Sequence, residues 1–176
     1  FAQKHQNKEL NLIVGTYTNT GKSQGIYVYS FNSRTGDFTF RSVAKGIVNP
    51  SFLCISQNQK FVYAVNEVNG GNGGVSAFSF NPGTAELTFL NRVKSMGDDP
   101  CYISADKKGK HVFAGNYSGG NFSVFNILGN GALREATQTI KHSGSSINSK
   151  RQEKPHVHST VLSPGEKFLF VSDLGT

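Results

Sequence analysis

Tryptophan is absent from the 176 residues, methionine occurs once, cysteine twice and proline five times. Two cysteines, Cys54 and Cys101, without a CxxC neighbour make no disulfide framework, and their apolar surroundings suit buried, inert thiols. No run of about 18 apolar residues occurs, which excludes a membrane-spanning helix. Charged residues are only 16% of the chain, and its segments are aromatic and β-branched, so wholesale disorder is excluded too. What is abundant is glycine (20) and phenylalanine (14), against 36% apolar residues overall. A helical bundle would need more leucine and alanine and less glycine. The chain reads as one all-β domain.

Eighteen lysines and arginines against eleven acids give a net charge of +7. The basic residues are scattered, whereas a nucleic-acid binder gathers them on one element. The balance suits a solvated surface that tolerates an anionic small molecule, with no nucleic-acid or membrane partner. The start, Phe1-Ala2-Gln3, is compatible with a removed export signal and equally with an arbitrary boundary, which leaves the compartment open.

One unit occurs three times. Pro50-Ser-Phe-Leu-Cys-Ile-Ser56 precedes Lys60-Phe-Val-Tyr-Ala-Val-Asn66, and Pro100-Cys-Tyr-Ile-Ser-Ala-Asp106 precedes Lys110-His-Val-Phe-Ala-Gly-Asn116. The third copy aligns Pro155-His-Val-His158 with these prolines, followed by Lys167-Phe-Leu-Phe-Val-Ser-Asp173 and carrying two extra residues in between. Further strands follow in the complete copies, Gly74–Phe80 and Asn121–Ile127, then the weaker Glu86–Leu90 and Ala132–Ala136. Four short antiparallel strands per unit of about 50 residues is the pattern of a β-propeller blade. The expected layout is a tail over 1–11, blades over 12–48, 49–97 and 98–142, a long loop over 142–154, and an incomplete blade over 155–176. That is thirteen strands, about three and a quarter blades, fewer than the roughly four of the smallest closed propellers. The reading is therefore an N-terminal fragment that needs further C-terminal blades to close a ring.

Several stretches, in order and at the blade period, carry a family resemblance: Gly15-Thr-Tyr-Thr18, Val65-Asn-Glu67 with its glycine-rich loop, Gly115-Asn-Tyr-Ser-Gly-Gly-Asn-Phe-Ser-Val124, and Arg151-Gln-x-x-Pro-His-x-His-Ser159 running to Asp173-Leu-Gly175. In these the chain resembles the lactonase family of seven-bladed propellers, which includes 6-phosphogluconolactonases and fungal carboxymuconate-cyclising enzymes. The resemblance implies seven blades, a cytoplasmic setting, no cofactor, and hydrolysis of a phosphorylated sugar lactone. It also implies further catalytic residues, an arginine and a glutamate, in later blades, so that this fragment is inactive alone.

In a propeller, first-strand starts and second-strand ends emerge on one face beside the central channel, where convergent polar groups form the default site. His156 and His158, two apart on a strand, should project together as general acid or base and substrate donor. Glu67 is the candidate supporting carboxylate. Arg151, in the long polar connection, is the candidate anion clamp. Asn116, Tyr117, Tyr17, Asn66 and Asp173 are candidate substrate-positioning groups. Each has a bland alternative: a histidine bonding backbone at a blade junction, Glu67 solvated, Arg151 in an exposed basic loop, the tyrosines packing between blades, the asparagines satisfying backbone. Metal ligation by His156, His158 and Asp173 lacks a recognisable ligand pattern, so no metal is expected. The main alternatives to sugar-lactone hydrolysis are delactonising or cyclising a carboxymuconate-type acid, and a non-catalytic propeller binding protein or glycan.

Overall fold

The computed structural model describes residues 9–176, so the Phe1-Ala2-Gln3 start and most of the expected tail lie outside the described residues. Within them thirteen strands form four antiparallel sheets and no helix. The first sheet holds β1 (Glu9–Val14), β2 (Gly25–Asn32) and β3 (Phe38–Lys45). The second is β4 (Leu53–Ile55), β5 (Phe61–Asn66), β6 (Gly74–Asn81) and β7 (Glu86–Lys94). The third is β8 (Pro100–Ala105), β9 (His111–Asn116), β10 (Asn121–Ile127) and β11 (Leu133–Lys141), and the fourth pairs β12 (Val157–Leu162) with β13 (Leu169–Asp173). Every neighbour in a sheet is its neighbour in sequence, so each sheet is an up-and-down meander. Sheets stacked in chain order, each a meander, are consecutive blades of a propeller.

Two apolar layers hold the stack together. Ile26, Val28 and Ile47 of the first sheet and its link meet Val62, Ala64, Phe78 and Phe80 of the second. On the opposite face of that second sheet, Tyr63, Val65, Val75 and Ala77 meet Ile103, Val112, Ala114 and Phe125 of the third. This explains why β5 reads Phe-Val-Tyr-Ala-Val without polar alternation: its odd residues face one neighbour and its even residues the other. The outermost strands read as weak in sequence because their residues are largely exposed, and β7 and β11 extend to Lys94 and Lys141, well past the Leu90 and Ala136 expected.

The sheets are also stitched at their link segments. Asn66 Nδ2 donates to the Val48 carbonyl (3.1 Å) and Asn116 Nδ2 to the Ser95 carbonyl (3.0 Å), each carbonyl lying in the connection from the preceding sheet into the asparagine's own. Asn91 exchanges two hydrogen bonds with the Leu133 backbone, joining the second and third sheets at their rims.

Candidate functional site

The backbone hydrogen bonds define one repeated position. The Glu67 N–H donates to the Asn49 carbonyl, the Tyr117 N–H to that of Asp99, and the Leu174 N–H to that of His156, all at 2.9–3.0 Å. Asn49, Asp99 and His156 are thus equivalent, and the strand pairings agree: Pro100 faces Asn116 as Val157 faces Asp173. This corrects the alignment of the third copy. Val157, not Pro155, matches Pro50 and Pro100, and the two extra residues lie before the strand rather than inside it.

The shifted register re-aims both histidines. They were expected to share one strand face, but His156 precedes β12, and a register irregularity separates Val157 from Ser159. His158 sits at this bulge, as Cys101 sits at the matching irregularity between Pro100 and Tyr102. Bulges of this kind break the two-residue alternation and turn one side chain outward. His158 is consequently exposed, and its ring makes no hydrogen bond within the described residues. His156 is only 7% exposed and is held on all sides. It stacks on Tyr117 with ring centroids 4.5 Å apart, its Nδ1 lies 3.3 Å from the Tyr117 carbonyl, and its Nε2 lies 3.1 Å from Glu153. It positions Tyr117, whose ring in turn meets that of His158 edge-on at 5.9 Å.

His158 opens into a cleft of about 390 Å³ lined by Tyr17, Ser51, Phe52, Glu67, Cys101, Tyr117, Arg151 and Leu174. Its construction is periodic. Glu67, Tyr117 and Leu174 each directly follow the last residue of a second strand, Tyr17 lies three residues beyond β1, and Ser51, Cys101 and His158 occupy the same place at three first-strand starts. Five expected residues (Tyr17, Glu67, Tyr117, Arg151 and His158) are brought together here. Four others are not: Asn66, Asn116 and Asp173 each precede a cleft residue, and alternation along an extended chain sends them the opposite way. Asn66 is buried, its Oδ1 accepting from Ser76 Oγ (2.8 Å) and Arg92 Nε (3.2 Å). Asn116 is fully buried and bonds Asn121 as well as Ser95. Asp173 accepts from the His156 and Gly175 N–H groups, both at 2.8 Å, and pairs with His142 Nδ1 at 2.7 Å. Burial alone would raise its pKa, but these hydrogen bonds outweigh it and hold the carboxyl below its ordinary value. His156 is the fourth.

Sequence reasoning missed Ser51 and Cys101. The signal was present: each directly follows the repeat's proline. Ser51 Oγ and Tyr17 Oη (2.8 Å) both donate to Oε2 of Glu67, leaving Oε1 without a partner among the described residues. Burial and then this hydrogen bond raise the Tyr17 pKa. Burial, with the nearby Glu67 carboxylate, pushes the Cys101 thiol up to about 11, so it is protonated and non-nucleophilic near neutral pH. Arg151 belongs to a connection fixed by its own turn, with the Arg151 and Gln152 N–H groups donating to the Asn148 carbonyl, and by Lys154 Nζ donating to the Ser118 carbonyl. Its guanidinium makes no hydrogen bond within the described residues. Nor do the described residues group three potential metal ligands anywhere. The cleft therefore presents a free imidazole, a held carboxylate with one open oxygen, a free guanidinium and two phenols. That set can move a proton, orient a hydroxylated molecule and attract an anion.

Comparison with known proteins follows the same lines. The family model described as "Lactonase, 7-bladed beta-propeller" matches residues 11–176. The 6-phosphogluconolactonase of Bacillus subtilis is 32% identical over 162 residues, 92% of this chain and 46% of its own length. That of Formosa agariphila is 31% identical over 166 residues, covering 94% and 47%. Among solved structures, a Bacteroides fragilis protein superposes with a TM-score of 0.92 at 41% identity, over 100% of this chain and 48% of its own. The periplasmic gluconolactonase PpgL of Pseudomonas aeruginosa gives 0.88 at 34%, over 96% and 48%. The chain spans about half the length of the curated relatives it matches.

Proposed function

Because the chain belongs to the lactonase family of seven-bladed β-propellers, we propose that it supplies one side of a cleft that hydrolyses a phosphorylated sugar lactone. The names of its curated relatives favour 6-phosphogluconolactone as the substrate. One observation carries the reading: a free imidazole, a carboxylate and a guanidinium from separate parts of the chain line a single cleft.

In this reading His158 takes a proton from a water that adds to the lactone carbonyl, forming the new C–O bond. The tetrahedral intermediate collapses with cleavage of the ring C–O bond, and the imidazolium returns the proton to the departing ring oxygen, leaving the open acid. Glu67, fixed by Tyr17 and Ser51, accepts from a sugar hydroxyl or orients the attacking water through its open Oε1. Arg151 clamps the phosphate, for which a planar guanidinium is suited. Tyr117 gives the ring a surface to rest on. His156 acts through Tyr117 as a positioning residue. The remaining blades of the family's ring complete the mouth and donate to the developing oxyanion.

The test is hydrolysis by the full-length protein of the phosphorylated lactone and of its unphosphorylated counterpart, each above its uncatalysed rate. Arg151→Gln should raise KM about 10- to 100-fold for the first and leave the second within about twofold. Equal loss on both substrates would remove the phosphate clamp from the scheme. No turnover of either by the unaltered protein would remove the scheme itself.

A further inference from the structure

A groove of about 980 Å³, larger than the cleft around His158, lies between the first and second sheets, at the upper end of the roughly 300–1,000 Å³ of small-molecule sites. Its walls are apolar, with Val43 and Ile47 on one side and Phe78, Leu87 and Phe89 on the other. Phe89 stays 56% exposed, so a large aromatic face is left for an occupant. Arg92 lines it too.

This cation is built in rather than left loose. Its Nε donates to Asn66 Oδ1 at 3.2 Å and its Nη2 to the Asn72 carbonyl. Asn66 is itself buried and fixed by Ser76 Oγ. A Cβ on Gly74 would lie 2.6 Å from Cζ, Nε and Nη2 of Arg92, so the missing side chain at 74 is what lets the guanidinium lie flat on β6. Its partners are neutral oxygens, and Nη1 carries no hydrogen bond within the described residues. The only other charged residue lining the groove is Lys45; no aspartate or glutamate lines it. Arg92 is itself exposed, so water meets its charge in the free protein, and no carboxylate among the groove's lining residues competes with an incoming anion.

We propose that this groove binds an amphipathic organic anion, a carboxylate or sulfonate whose charged head meets Arg92 and whose apolar body lies against Phe89, Leu87 and Ile47. The oxygens of the head take the open edge of the guanidinium, and Lys45 adds attraction at the rim. Preorganisation of the cation by Asn66 and Asn72 removes the ordering cost that a free arginine would carry. The site is separate from the cleft around His158 and does not depend on the lactone reading.

The test uses two fluorescent probes on the full-length protein, the anion 8-anilinonaphthalene-1-sulfonate and its neutral counterpart N-phenyl-1-naphthylamine. The unaltered protein should take up both, the anion more tightly and saturating at one per chain. Arg92→Gln should weaken the anion at least about tenfold and leave the neutral probe within about twofold. Gly74→Ala, which keeps the charge and displaces it, should do the same, whereas Arg151→Gln should change neither. Retention of the neutral probe reports that the groove is intact in each variant. The proposal is overturned if Arg92→Gln binds the anion as the unaltered protein does, if it loses both probes equally, or if Arg151→Gln is the variant that loses the anion.

Discussion

Replacing His156 and His158 separately by alanine should give opposite signatures, and the structure sets the sizes. His156 is buried against Tyr117. Its removal forfeits a stacked ring contact worth about 0.5–1.5 kcal/mol and leaves a hole in a close-packed region, where truncations to alanine cost about 2–5 kcal/mol. The partner on Nε2, Glu153, is exposed and solvent-screened, so that bond adds little. We expect His156→Ala to lower stability by about 2–3 kcal/mol, below the full sum because the edge of the site can relax. His158 is exposed and its ring is unpaired, so His158→Ala should stay within about 0.5 kcal/mol. In lactone hydrolysis the order reverses. Losing a general base costs about 10²- to 10⁴-fold in kcat/KM, or roughly 3–5 kcal/mol of transition-state stabilisation. His156→Ala should cost far less once measured on folded protein, and mainly through Tyr117. The assays are urea unfolding with comparison of midpoints at constant m, and initial rates at several pH values. If His158→Ala is the unstable variant and His156→Ala the inactive one, the register drawn here for β12 is wrong.

Asn116→Ala should destabilise by about 1–3 kcal/mol, since it strands the Asn121 oxygen in a buried place, while activity per folded molecule stays within about twofold; a rise in KM without loss of stability would put Asn116 back among the substrate contacts. Asp173→Asn tests acid sensitivity. The native pKa lies below the ordinary 3.8, so the carboxylate contributes stability that is fully present above that value and lost as pH falls through the native pKa. The gap in melting temperature between the unaltered protein and Asp173→Asn should therefore be widest near pH 6 and shrink towards pH 2; a gap independent of pH refutes it. Cys101, with its thiol near 11 against an ordinary 9.0, presents about a hundredfold less thiolate than a free cysteine at pH 7.5, and alkylation by iodoacetamide should be correspondingly slow in the native state. Gly15→Ala should be poorly tolerated, because the added Cβ would lie 2.1 Å from the Pro50 carbonyl oxygen, a backbone atom that cannot swing aside; unfolding experiments that place it level with the unaltered protein would contradict that packing.

The amino-acid sequence alone determined the architecture. Strand-forming runs recur at the period of a blade, and glycine, asparagine and proline mark the turns, so local chemistry dictates where each strand starts and which neighbour it meets. It also told which ends of the strands gather: Tyr17, Glu67, Tyr117 and Arg151 were legible because the repeat fixes their place and the connection before β12 fixes that of Arg151. Only tertiary structure decided which member of each adjacent pair faces the cleft. Asn66 and Glu67 look alike as polar strand-end residues, but alternation buries one and presents the other, and a one-residue difference cannot be read from composition. The same holds for the histidines. Two extra residues near Pro155 could lie before the strand or within it, and the choice rests on long-range hydrogen bonds such as that from the Leu174 N–H to the His156 carbonyl. Because side-chain direction flips with every step along an extended chain, register is set by the partner strand, which is information that no single segment contains.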